Sequence, residues 1–342
     1  MTNKSDKNFP YEIKELTPDE NEEIRNLRKA KALDFVRIGP KGYFLTKRYA
    51  EEAANIYNFP IKNDDIFVVS YPKSGTTWTQ ELVWLLQNNL DYEKAKSVML
   101  NDRFPFLEIT IFDEADAVRE SAGKMQNDGI SDLVNAMLPL TVDQIKELPS
   151  PRFIKTHLPM SLLPPNMLDT AKVVYIARDP RDVVVSFYHH HKLMKIISPD
   201  TGFKQDLDLF IQNKILWTPY FDHVMEAWQK RNHPNMLFLF YEELSKDLSA
   251  SIRRVAKFLG KEISDEQVTT LREHLKFDNF KNNASVNMEH LKDVGIFQKN
   301  EAFVRKGKVG GWRDYFDDEM TAKADKWIAD NIRDTDFRFP HF

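Results

Sequence analysis

The stretch from Ile66 to Trp78 (IFVVSYPKSGTTW) constrains the fold of this chain more than any other. Its first four residues are apolar and mostly β-branched, which predicts a buried strand. Tyr71-Pro72 stops that strand, and Lys73-Ser74-Gly75-Thr76-Thr77 makes a short polar loop. Thr77 to Leu90 then predicts a helix rich in Leu and Trp. A strand that turns tightly into a helix N-terminus aims backbone N–H groups and the positive helix end at one spot, where a phosphate-like anion is held. Gly75 lets the main chain approach such an anion closely, because no Cβ intervenes. Ser74, Thr76 and Thr77 add hydroxyls, and Lys73 adds a full charge. The order differs from the nucleoside-triphosphate loop Gly-x-x-x-x-Gly-Lys-Ser/Thr. Here Lys73 precedes Gly75 and the first glycine is missing. A plainer reading also fits the string: a capped helix after a strand, with Thr77 and Gln80 forming a capping box.

Strand patterns recur at Arg152–Pro159, Lys172–Ala177 and Met236–Tyr241. Helical patterns fall between them. One covers Lys47 to Asn58, and one starts at Asp179-Pro180, an N-cap followed by a first-turn proline, and reaches Leu193. Others cover Pro219–Arg231, Ala250–Gly260, Ser264–His274 and Asp317–Arg333. Strands alternating with helices predict an α/β fold: a single domain with a central parallel sheet flanked by helices and ligands at the carboxyl ends of the strands. Residues 1–19 read as an N-terminal arm and 20–342 as the domain. Glu20 to Ala32 is highly charged and helix-compatible, and Gly39 and Gly42 mark a turn. Residues 105–149 are irregular, with a small helix expected near Ser131 to Met137. They read either as a substrate lid over an apolar ligand or as a surface insertion. Lys276 to Met320 is expected to be mostly irregular.

Composition narrows the class. The chain has 342 residues, 42% of them hydrophobic, and a net charge of −4, without the basic excess of a nucleic-acid binder. It has no cysteine, so no disulfide or thiolate metal site can form. The first residues lack the apolar core of a signal peptide. The longest apolar run, Met236 to Tyr241, is too short to span a bilayer. A cytoplasmic enzyme without membrane or nucleic-acid partners is expected. His189-His190-His191 suggests a metal, but neighbouring helix positions point about 100° apart and cannot converge on one ion. No metal is expected.

The string from Tyr71 to Trp78 (YPKSGTTW) resembles the 5′-phosphosulfate loop of the cytosolic sulfotransferases, which take a sulfuryl group from 3′-phosphoadenosine 5′-phosphosulfate (PAPS). Three further strings are similar to that family, in the same order: Lys155-Thr156-His157-Leu158-Pro159, Ala177 to Ser186, and Arg305-Lys306-Gly307. Together they cover nearly the whole chain after the arm. The resemblance implies a P-loop-like phosphosulfate-binding loop formed by Lys73, Ser74, Gly75, Thr76, Thr77 and Trp78. It also implies that Arg178 and Ser186 bind the 3′-phosphate together with Arg305, Lys306 and Gly307. Tyr241, Leu275, Phe277 and Phe280 would contact the adenine. The catalytic residues it implies are His157 as general base, Lys155 holding the acceptor hydroxyl, and Lys73 neutralising charge on the bridging oxygen as adenosine 3′,5′-bisphosphate leaves. Read without the resemblance, a lone histidine such as His157 fits a structural role as well as a catalytic one, and Tyr241, Phe277 and Phe280 fit core packing.

The implied activity is transfer of the sulfuryl group to a hydroxyl of a small apolar acceptor, phenolic or alcoholic. Pro164 to Thr170, Asn235 to Tyr241 and Trp312 to Phe316 look most like insect members, among them the moth retinol dehydratase. An enzyme acting through a transient sulfonated alcohol is therefore the alternative, and a non-catalytic carrier of apolar ligands a lesser one. A magnesium-dependent kinase is disfavoured by the missing Gly-x-x-x-x-Gly-Lys loop. Many mammalian members of the family dimerise through Lys-x-x-x-Thr-Val-x-x-x-Glu. The corresponding stretch begins at Arg313 and carries Asp317, Asp318 and Ala322, so a homodimer by that contact is not expected. Gly310-Gly311-Trp312-Arg313 likewise departs from the usual Gly-Asp-Trp-Lys.

Overall fold

The computed structural model describes residues 9–28, 34–112, 139–197, 200–293 and 295–340. A small antiparallel sheet comprises β1 (Ile13–Glu15), β2 (Phe35–Ile38) and β3 (Tyr43–Thr46), in that order. The central sheet comprises β4 (Ile66–Val69), β5 (Phe153–Thr156), β6 (Lys172–Ala177) and β7 (Met236–Phe240), ordered β5-β4-β6-β7. All its pairings are parallel.

Burial on both faces explains why these strands read as unbroken apolar runs. Successive side chains point to opposite faces. Phe67, Val69, Val173 and Tyr175 enter one hydrophobic core, while Ile66, Val68, Val174 and Ile176 enter a second. Helices cover both sides. Thr76–Gln87, Leu248–Leu259 and Asp265–Leu275 contribute Leu82, Leu85, Val255 and Leu271 to the second core. Pro180–Leu193, Phe203–Ile211 and Tyr220–Gln229 contribute Val184, Phe210 and Val224 to the first. At the far end of the sheet, Arg152 clamps the Asp65 carboxylate through Nε and Nη2, at 2.8 and 2.6 Å. Both side chains are fully buried. That fork ties the entry of β4 to the entry of β5.

Register decides where the chemistry goes. Val69 pairs with both Thr156 and Tyr175, and Ala177 pairs with Phe240. The residues that leave these strands, Ser70, His157, Arg178 and Tyr241, therefore emerge along one edge.

The structure differs from the sequence expectations in several places. The plain capping-box reading of Thr77 and Gln80 is overturned: the helix starts at Thr76 after Gly75, which is left-handed and gives no side-chain cap. Among the described residues, capping boxes form instead at Thr17/Glu20, Thr141/Gln144 and Ser264/Gln267. The N-terminal hairpin was visible only as its turn, with Gly39 and Gly42 at positive φ. Its strands flank that turn, and β1 lies within the stretch read as an arm. Short helices at Phe277–Lys281, Ala284–Asn287 and His290–Asp293 interrupt the region expected to be irregular. The helix expected near Ser131 to Met137 lies outside the described residues.

Candidate active site

The loop after β4 is shaped by two left-handed residues, Lys73 at φ 66° and Gly75 at φ 105°. The second position is built for glycine: a Cβ there would meet Tyr241 Cδ2 at 2.6 Å and Ile176 Cδ1 at 3.2 Å. With no Cβ, the loop folds against the end of β6 and leaves the N-terminus of the Thr76–Gln87 helix facing a large cavity. That cavity measures about 1790 Å³. A pocket for one drug-sized ligand is usually ~300–1,000 Å³, so there is room for two molecules side by side.

Lys73, Gly75, Thr76, Thr77 and Trp78 line the cavity, as do Lys155, His157, Arg178, Ser186 and Tyr241. Leu275, Phe277, Phe280, Arg305, Lys306 and Gly307 line it too. Of the residues singled out in the sequence, Ser74 alone stands behind this wall, fully buried with its Oγ unpartnered. Of the three histidines, His189 bonds Glu301 and Tyr315, while His190 and His191 both line the cavity and His191 also lies 3.6 Å from Asp206.

His157 is held from every side. Its backbone N–H donates to Glu108 Oε1 at 2.6 Å, and its carbonyl accepts from His223 Nε2 at 2.8 Å. His223 in turn faces the Tyr175 hydroxyl at 2.7 Å through Nδ1. The His157 ring is sandwiched between Phe106 and Trp217, at 5.2 and 5.5 Å between centroids. Its Nδ1 lies 2.8 Å from the Ser70 carbonyl oxygen. A carbonyl can only accept, so Nδ1 carries the proton and Nε2 keeps its lone pair. Burial and the charge of Lys155 hold this imidazole well below its ordinary pKa, hence neutral.

Four cations converge on the same space. Burial pushes Lys73 down to about 7, helped by Lys155, Arg178 and Arg305. Burial pushes Lys155 down to about 8, against the opposing pull of Glu108. Burial also raises Glu108 to about 7. Lys73 Nζ lies over the Phe303 ring at 4.5 Å, and Lys155 Nζ over Phe106 at 4.3 Å. Arg178 stacks on Tyr241 at 4.1 Å and donates to the carbonyls of Lys73 and Lys308 at 3.3 and 2.9 Å. Such crowding of positive charge in a dry site is costly without an anion. The donors fit one, because Arg178 Nε and Arg305 Nε are buried without partners.

The aromatic end is also knitted together. Trp78 Nε1 donates to the Leu275 carbonyl at 2.8 Å, and Tyr241 OH to the Gly307 carbonyl at 3.0 Å. A Cβ on Gly307 would lie 2.2 Å from the Phe277 ring. The opposite end is apolar, lined by Phe106, Ile109, Phe112, Leu140, Phe187 and Trp217. Sequence reasoning assigned no role to Ser70, Glu108, His223 or Trp217. Ser70 sits in the Ile66–Trp78 stretch but the other three sit in no recognisable string, and only the tertiary fold brings all four to His157.

A family model described as a sulfotransferase domain matches residues 63–336. The luciferin sulfotransferase of Photinus pyralis is 36% identical over 311 residues, covering 89% of this chain and 81% of that protein. Sulfotransferase 1E1 of Homo sapiens is 33% identical over 300 residues, covering 87% and 94%. Among solved structures, retinol dehydratase in complex with androsterone and the inactive cofactor PAP superposes with a TM-score of 0.89. It is 47% identical and covers 98% of this chain and 99% of its own. The same enzyme in a complex with retinol and PAP gives 0.85, at 46% identity, 97% and 99%.

Proposed function

The chain belongs to the sulfotransferase family, and we propose that it transfers a sulfuryl group from PAPS to a hydroxyl of a small apolar acceptor. One observation carries this reading: a neutral imidazole with a free lone pair and four cations, Lys73, Lys155, Arg178 and Arg305, line a single cavity. The relatives' solved structures hold PAP and either androsterone or retinol.

When bound, PAPS supplies an activated sulfuryl group; everything else is the work of the chain's own residues. His157 Nε2 takes the proton of the acceptor hydroxyl as the oxygen attacks. Glu108 and His223 hold the His157 main chain in place, and Ser70 holds its ring. Lys155 and the loop N–H groups would stabilise charge on the transferred sulfuryl group, and Lys73 charge on the leaving bisphosphate, where fixed donors act best on developing charge. Arg178, Ser186 and the Arg305-Lys306-Gly307 segment would hold the 3′-phosphate, for which arginine offers a planar fork. Tyr241, Phe277 and Phe280 would hold the adenine beside Trp78. Phe106, Phe112, Phe187 and Trp217 receive the apolar acceptor and exclude water. The described flanks of the 105–149 region cover the acceptor end through Phe106, Ile109, Phe112 and Leu140, while residues 113–138 lie outside the described residues. The proton accounting needs no metal. No helix among the described residues is long and apolar enough to cross a membrane, and we place the activity in the cytoplasm. If the chain forms a dimer, it does so by a contact other than the stretch from Arg313, whose guanidinium stacks on Trp312 at 4.4 Å.

The test is transfer of labelled sulfuryl from PAPS to a panel of phenols, sterols and retinoids, with products identified by mass. A sulfate ester supports the reading, and no transfer to any of them refutes it. A second outcome is favoured by the 47% identity to retinol dehydratase. In that case the sulfonated alcohol loses sulfate, and the mass shows loss of water from the acceptor instead.

A further inference from the structure

The Pro180–Leu193 helix carries a second imidazole into the cavity. His190 stands one turn beyond Ser186 and lines the same space as His157. Its ring lies 6.2 Å from Phe187, nearly parallel to it, and 5.8 Å from Phe303. Phe187 in turn lies 6.2 Å from Trp217, which meets the His157 ring edge-on. The two histidines thus occupy separate parts of one aromatic wall. His190 has no such set of partners: its Nδ1 is buried and unpaired. Burial and the charge of Lys73 push its pKa well below the ordinary imidazole value, so the ring is neutral. A neutral imidazole has one donor and one acceptor, and leaving either unmet in a dry site costs free energy.

We propose that His190 is a specificity-determining residue that hydrogen-bonds a second oxygen of the acceptor, distinct from the hydroxyl presented to His157. The favoured acceptors are then apolar skeletons with two oxygen functions. The single hydroxyl of a simpler alcohol is already committed to His157 and leaves His190 unmet. A second hydroxyl can donate or accept, and so serves either tautomer of the ring. This inference rests on the sulfuryl-transfer reading, which supplies the hydroxyl at His157.

The test is calorimetric binding of 2-naphthol, 2,6-dihydroxynaphthalene and 2,7-dihydroxynaphthalene at saturating adenosine 3′,5′-bisphosphate. In the wild type, one of the diols should bind at least about fivefold tighter than 2-naphthol, the size of one net hydrogen bond. That ratio should collapse towards one in H190F and H190L, which keep an apolar wall. It should persist in H190N, whose amide replaces the lost polar atoms. Unchanged affinity for the bisphosphate shows that each variant is folded. Equal binding of all three naphthols by the wild type, or a preference that survives in H190F and H190L, overturns the proposal. So does weakened bisphosphate binding in H190N. Failure of the wild type to bind the bisphosphate at all would instead remove the donor assignment, and this inference with it.

Discussion

Replacing Gly75 with Ala attacks the loop at its tightest point. The backbone there has φ 105°, outside the narrow left-handed basin open to other residues. Forcing alanine into such a conformation costs about 1–3 kcal/mol. The new methyl would also stand 2.6 Å from Tyr241 Cδ2. Tyr241 cannot simply swing aside, because its hydroxyl is bonded to the Gly307 carbonyl and Arg178 covers its ring. Overpacking of this kind adds roughly 1–3 kcal/mol. The protein can absorb the combined strain as lost stability, or relieve it by moving the loop away from the anion site. The first shows as a lower midpoint in urea. The second shows as weaker binding of adenosine 3′,5′-bisphosphate, about tenfold for each 1.4 kcal/mol. Both should be measured on the same preparation. A G75A variant within about 0.5 kcal/mol of wild-type stability, and with unaltered nucleotide affinity, would refute the account of the loop.

His157→Ala should lower kcat by about 10²–10⁴, the usual share of a general base, while bisphosphate binding stays near normal by calorimetry. Normal turnover would remove His157 from the mechanism. Nucleotide affinity should fall as pH rises above about 7, because Lys73 starts to lose its proton there in the free protein and must regain it to meet the anion. The slope should approach roughly one decade per pH unit, with proton uptake visible in buffers of different ionisation enthalpy. A flat profile from pH 7 to 9 would contradict it. Asp65→Ala should destabilise the fold by about 3–5 kcal/mol in urea, since it strands the buried Arg152 guanidinium. Bisphosphate affinity below the unfolding transition should hardly change, because that pair lies at the opposite end of the sheet.

The central sheet was legible because all four strands are buried on both faces, and such strands announce themselves as unbroken apolar runs. Lys73, His157, Arg178 and Tyr241 could be placed at one edge by noting only that each follows such a run. The N-terminal hairpin was not legible beyond its turn at Gly39 and Gly42. β2 and β3 have four residues each, and β1, with three, pairs with β2 across the intervening Pro18–Arg28 helix. The start of the Thr76–Gln87 helix was misread for a local reason. Thr77 and Gln80 have capping spacing, yet the anion loop imposes a left-handed Gly75 at that point. The groups that hold His157 were invisible because Glu108 and His223 lie 49 and 66 residues away in sequence. Ser74 differs from its neighbours in the string: its hydroxyl is buried without a partner and does not line the cavity.

Competition between nucleotides probes the cavity most directly. Adenosine 3′,5′-bisphosphate should bind far more tightly than adenosine 5′-phosphate, adenosine 3′-phosphate or ATP with magnesium. Each lacks an anion at one of the two places where Lys73 and the pair Arg178 and Arg305 wait. Loss of either phosphate should weaken binding at least about a hundredfold, two charge-assisted hydrogen bonds' worth. Equal affinity for the monophosphates, or a preference for ATP with magnesium, would contradict the account.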